Sequence, residues 1–99
     1  MNEEIIKDYE RDFRLFCSLA ADSQIEADTW SGGDEAAICW SARNAYKLAA
    51  SQMHYRLEQL APYKYPFPGL PVRNIIISDY VDKIIKEKTD HEQKTQPLS

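Results

Sequence analysis

Asn74-Ile75-Ile76-Ile77-Ser78 is the stretch on which the fold class turns. Three consecutive isoleucines suit a strand, because β-branched side chains pack well on a pleated surface. A lone strand has nothing to pair with here. Ile77, Val81, Ile84 and Ile85 instead carry the apolar pattern onward at intervals of three and four, the period of a helix. The stretch therefore reads as the start of a helix from about 74 or 78 to 89, capped by Asn74 or Ser78. The whole chain then reads as all-α.

The rest of the sequence agrees. Ile6, Tyr9, Phe13, Phe16, Cys17 and Ala20 form one apolar stripe, which predicts a helix over about 3–21. Asn2 is placed to cap it, and Glu3 and Glu4 suit the positive end of its dipole. Ser23-Gln24-Ile25-Glu26 fits a capping box, so a separate short helix is expected at about 24–30, broken by Ser31-Gly32-Gly33. Asp34 is the expected cap of the longest helix, about 35–61, which Pro62 ends. Its expected apolar line is Ile38, Ala42, Ala45, Ala49, Met53, Leu57 and Leu60, with the alanines allowing close approach of a neighbour. Trp40, Tyr46 and Tyr55 could fill the core or stand on a contact face. The expectation is one helical domain over 1–88, made of three main helices, with a disordered tail over 89–99.

Composition limits the function classes. The chain has 99 residues, 43% of them hydrophobic, and a mean hydropathy of −0.57, which fits a single soluble domain with a modest core. No apolar run approaches the roughly 20 residues of a membrane span. The first residues lack the basic start and apolar core of a signal peptide, so a cytoplasmic location is expected. Cys17 and Cys39 are the only cysteines, and His54 and His91 the only histidines; no pair has zinc-ligand spacing. Both thiols read as small buried hydrophobes. No cofactor is expected. Asp34-Glu35 reads as a helix start rather than a catalytic carboxylate pair, and Gly32-Gly33 lacks the rest of any phosphate loop.

The net charge of −4 is unevenly spread. Residues 1–42 carry ten acids and three bases, whereas residues 43–73 carry five bases and the single acid Glu58. The acidic balance speaks against a dedicated nucleic-acid binder. The basic middle, Arg43 and Lys47 above all, could meet an acidic protein surface or simply be a solvated helix face. A helix-turn-helix would want a basic recognition helix behind a short turn. The best face for one, Arg43, Lys47 and His54, has no such turn before it.

Between the second and third helices lies Pro62-Tyr63-Lys64-Tyr65-Pro66-Phe67-Pro68-Gly69-Leu70-Pro71, with four of the five prolines. Proline excludes helix interior and central strand, so this crossover over 62–71 is expected to be stiff and apolar where a loop would normally be polar. It could be a rigid interhelix connection whose aromatics plug the core, or a recognition element. On the second reading Tyr63, Tyr65, Pro66, Phe67, Pro68, Gly69, Leu70 and Pro71 would touch a partner. Phe67–Pro68 is the bond expected to be cis in the active or bound form, because Gly69 opens the turn after it. A host prolyl isomerase is accordingly an expected assistant or bound partner.

At Tyr65-Pro66-Phe67-Pro68-Gly69-Leu70-Pro71, with the helices before it, the chain resembles the anti-RecBCD proteins of lambdoid phages. The size, the acidity and the lack of catalytic groups agree. The resemblance implies a phage protein that binds the host RecBCD helicase–nuclease through its RecC subunit. It would change that enzyme's response to DNA ends, protect phage DNA and favour phage recombination, without direct nucleic-acid binding, a membrane or catalysis of its own. A small DNA-binding or transcription-regulating phage protein is the alternative.

Overall fold

The computed structural model describes the backbone of residues 3–30, 32–66 and 69–95, with side chains as far as residue 90. Among these residues the chain is three helices and no strand: α1 (Glu3–Thr29), α2 (Asp34–Leu60) and α3 (Leu70–Thr95). The isoleucine run is helical. The all-α expectation holds.

α1 is one helix of 27 residues, about 40 Å long, and not a long helix followed by a short one. No proline or glycine interrupts residues 21–24, and Ala20, Ala21 and Ala27 are all buried. Packing thus continues through Ser23, and a box that could start a helix is absorbed into one. Asn2 lies outside the described residues. Gly32 and Gly33, with φ of 110° and 91°, turn the chain through a region that L side chains rarely adopt. Gly33, not Asp34, is the residue before α2, and no side-chain hydrogen bond among the described residues caps that end. Asp34 and Glu35 sit in the first turn, where their charge favours the helix dipole.

α2 stops where Pro62 requires, and the amide of Ala61 closes on the carbonyl of Leu57 at 2.8 Å. Its buried line differs from the expected one. Ala36, Cys39, Ala50, His54, Leu57, Glu58 and Ala61 face inward, while Ile38 is 67% exposed and Ala45 lies at the surface. The inward face is rotated by about one residue from that line, and it includes Glu58, which has an ion-pair partner on α3.

α3 begins at Leu70, earlier than expected, and takes in Pro71. A proline is accepted there because the first-turn amides have no partner within the helix. The Arg73 amide bonds the carbonyl of Gly69 at 3.0 Å, which closes the first turn. Gly69 has φ of 83°, and a Cβ there would meet Pro71 Cδ at 4.0 Å, so backbone angle rather than crowding favours glycine. The helical backbone runs past residue 89 to Thr95, and residues 96–99 lie outside the described ones.

The helices alternate in direction. Glu58 pairs with Arg73 and Lys47 with Ser78, so α3 is antiparallel to α2; Phe13 meets Tyr80 and Asp22 meets Lys88, so it is parallel to α1. The main core joins Cys17, Ala20 and Ala21 of α1, Ala50 of α2, and Ile77 and Val81 of α3. The small residues among these permit close helix approach. Around them pack Phe16, Tyr46, Tyr80, Ile84 and Ile85. A second cluster, Ile6, Leu57 and Ala61, takes up Tyr9, Leu60 and Tyr65. Phe13 packs against both clusters and joins them.

Candidate functional site

The crossover opens with a tight turn. The amides of Lys64 and Tyr65 both reach the carbonyl of Ala61, at 3.0 and 2.7 Å. Pro62, Tyr63 and Lys64 stand exposed, Tyr63 to 81%. Tyr65 turns inward. Its ring meets His54 edge-on at 5.5 Å, and its hydroxyl donates to Glu10 of α1. Burial, with Glu10 beside it, pushes the Tyr65 phenol up to about 12. Lys64 Nζ reaches the same carboxylate at 2.8 Å. Hydrogen bonds from Lys64 first and Tyr65 second hold Glu10 below the usual carboxylate range. Tyr65 thereby fastens the crossover to α1, which is the core-plugging reading for this one aromatic. Pro66 is exposed. Phe67 and Pro68, and with them the expected cis bond, lie outside the described residues; no cis bond occurs among those described.

Leu70 and Pro71 form the exposed first turn of α3. Val72, Ile75 and Ile76 follow at i, i+3 and i+4, all exposed, Ile75 to 58%. A helix can bury only part of three consecutive isoleucines, and here only Ile77 enters the core. The result is an uncovered apolar ridge where α3 leaves the crossover. Ile76 also forms part of an open groove of about 520 Å³ with Phe13, His54, Tyr65 and Tyr80, rimmed by Glu10, Arg14, Asp79 and Lys83.

Behind the ridge is a buried ionic centre that the sequence reading missed. Glu58 accepts two hydrogen bonds from Arg73, Nε and Nη2 each at 2.7 Å, and one contact from His54 Nδ1 at 2.5 Å. Both the Glu58 and Arg73 side chains are nearly inaccessible. The Arg73 bonds hold the Glu58 carboxyl below its usual range despite burial, and those same bonds raise Arg73. An ionised carboxylate only accepts, so Nδ1 of His54 is the donor. Arg73 also lies 5.4 Å from the Tyr55 ring centre. The one sequence signal was charge: Glu58 is the only acid among residues 43–73. An acid isolated among five bases is well placed to be their internal partner.

Arg43 and Lys47 lie one turn apart on α2, both half-buried. Arg43 donates to Gln24 of α1 at 3.1 Å and lies over the Trp40 ring at 4.7 Å. Lys47 donates to Ser78 of α3 at 2.8 Å. Of the residues singled out in the sequence, Lys47 and Leu70 are brought into one groove. Tyr65 instead faces α1, and Tyr63, Pro66 and Pro71 project to solvent. His54, the third member of the face considered for DNA, is buried under Phe13 and Tyr65 and cannot read a groove.

The thiols are poor nucleophiles. Burial pushes Cys17 up to about 12 and also raises Cys39. Among the described residues no group of three His, Cys, Asp or Glu side chains could hold a metal ion, and no helix is long and apolar enough to cross a membrane. Neither a protein-family model, nor a curated protein, nor a solved structure matches this chain.

Proposed function

We propose that this chain is a phage protein that acts by binding another protein, with no catalysis of its own, in the cytoplasm of the host. The partner is the host RecBCD helicase–nuclease, engaged through RecC. Its activity is inhibited or modified, which protects phage DNA and favours phage recombination. A host prolyl isomerase acting on the X–Pro bonds of the crossover belongs to the same proposal.

One observation carries the binding half of this reading: the apolar ridge Val72, Ile75 and Ile76, exposed after Leu70 where α3 leaves the crossover. Contiguous exposed apolar side chains on a small soluble domain mark an interaction surface. The identity of the partner rests on the resemblance at Tyr65–Pro71. Purified chain and purified RecBCD, mixed without DNA, should co-elute on gel filtration, and the nuclease should be altered in the fraction that does. An Ile75→Asp variant that stays folded should lose this binding. Association seen only when DNA is present would favour the DNA-binding alternative, and none at all would remove this partner.

A further inference from the structure

We propose that the groove between α2 and α3 docks an acidic amphipathic helix of a partner protein. The helix would set its apolar side chains against Leu48 and Leu70 and a carboxylate on the cation pair Lys47 and Arg43. This rests on the protein-binding reading above but not on the identity of the partner.

The groove holds about 430 Å³ and is lined by Leu48 and Lys47 of α2 and Leu70, Asn74 and Ile77 of α3, with Asn44 at its edge. Leu48 and Leu70 are 63% and 56% exposed. Two large apolar side chains thus stand on facing helices with nothing over them among the described residues. The two helices run antiparallel, and the furrow between such a pair accepts a third helix with anchors at i, i+3 and i+7.

Charge selects the occupant. Arg11, Lys64, Arg73 and Lys88 each have a carboxylate within ion-pair distance. Lys7, Arg14, Arg56, Lys83 and Lys86 have none among the described residues but stand in solvent, whereas Arg43 and Lys47 have none and are half-buried. The partners of Arg43 are Gln24, Asn44 and the Trp40 face, and Lys47 has the Ser78 hydroxyl. All are neutral. Residues at i and i+4 of a helix are neighbours, so the two like charges oppose one another. Burial first, and Arg43 second, press Lys47 toward its neutral form, while Asp82 favours the charged form from beyond ion-pair distance. A partner's carboxylate at this point would relieve both penalties. The Gln24, Trp40 and Ser78 contacts already hold the two cations in place, so little side-chain freedom is lost on binding. A nucleic acid would need a row of cations along its phosphates, whereas this pair is bordered by exposed leucine and asparagine.

The test uses the full chain with labelled Leu and Ile methyl groups and a synthetic amphipathic helical peptide bearing leucines at i, i+3 and i+7 beside glutamates. The comparison peptide has lysine at every glutamate. The acidic peptide should shift the Leu48 and Leu70 methyls saturably, and the basic one should not. Lys47→Glu and, separately, Arg43→Gln should each weaken the acidic peptide by about tenfold or more, a change of about 1.4 kcal/mol. The proposal is overturned by equal binding of both peptides, by shifts located elsewhere, or by unchanged affinity in both variants. Stronger shifts of the same methyls by a short DNA duplex would make this a phosphate site, and shifts on simple concentration of the chain would make its occupant a second copy. Either also overturns it. RecBCD binding that survives Lys47→Glu removes the groove and keeps that partner. Peptide binding without RecBCD binding does the reverse.

Discussion

Replacing Glu58 by Gln keeps the shape of the side chain and removes its charge, which isolates what the buried centre contributes. The carboxylate takes Nε of Arg73 and Nδ1 of His54 on Oε2, and Nη2 of Arg73 on Oε1. A glutamine can place its oxygen at only one of these positions. With oxygen at the Oε2 site, its amide nitrogen faces the Nη2 donor; reversed, it faces both Nε and Nδ1. Either way at least one donor meets a donor, and the Arg73 charge is left buried without a counter-ion. Breaking one member of a buried pair costs about 3–5 kcal/mol. Total stability of such domains is about 5–15 kcal/mol. At about 4–8 °C per kcal/mol for this size, the melting temperature should fall by roughly 12–40 °C. Urea and thermal denaturation followed by far-ultraviolet dichroism would read both quantities. The double replacement Glu58→Leu with Arg73→Met should recover most of the loss, because a well-packed apolar pair is often as stable as a buried ionic one. A cost below about 1 kcal/mol for Glu58→Gln would refute the reasoning, since the pair would then be effectively solvated. A double variant as unstable as the single one would show that packing, not charge, couples α2 to α3.

The same centre sets the acid response. Folding lowers the pKa of Glu58 and of Glu10, so their contribution is full above the ordinary carboxylate value of about 4.3 and is lost as pH falls through the lowered folded values. Denaturant midpoints should therefore drop below about pH 4.3, and Glu58→Gln should flatten that drop. Phe13→Ala should cost about 3–5 kcal/mol, because the ring joins both core clusters; a cost under about 1 kcal/mol would place the ring outside them. Gly69→Ala should cost about 1–2 kcal/mol from its positive φ alone, as measured by denaturation, and no loss would mean the turn relaxes freely.

Much of the fold could be read from local pattern. The α1 stripe is apolar at nearly every inward position, and the Ile77, Val81, Ile84 and Ile85 series behaves the same way. Pro62 states its own consequence for α2. The rotation of α2 was not legible, because its two faces differ little in polarity. Ser51, His54 and Glu58 are buried while Ile38 and Leu48 are exposed. Glu58 is inside because of its partner Arg73 on another helix, with His54 bonded to the same carboxylate, and such a partner leaves no periodic trace in α2. The early start of α3 was hidden by Pro71, which breaks a helix interior yet is accepted in a first turn. At the candidate site, Lys47 was singled out for its charge and Leu70 for its neighbours, and the fold sets them in one groove. The inward turn of Tyr65 depends on Glu10, far away in sequence, and could not be inferred locally.

The two ends of α3 are fastened in unlike ways, and this bears on how the molecule opens. Near its start, Arg73 is locked into a dry ionic pocket. Near residue 88 the link is Lys88 to Asp22 and Ser18, with Asp22 well exposed. Exposed pairs contribute roughly 0–1 kcal/mol and weaken as salt rises. The helix should consequently peel from α1 at its far end while its first turns stay pinned to α2. Amide exchange would register this as protection falling from Val81 toward Thr89, steepening with added salt, while the α1–α2 hairpin exchanges only with global unfolding. The apolar ridge would then remain rigidly presented through such partial opening, because it sits on the pinned end.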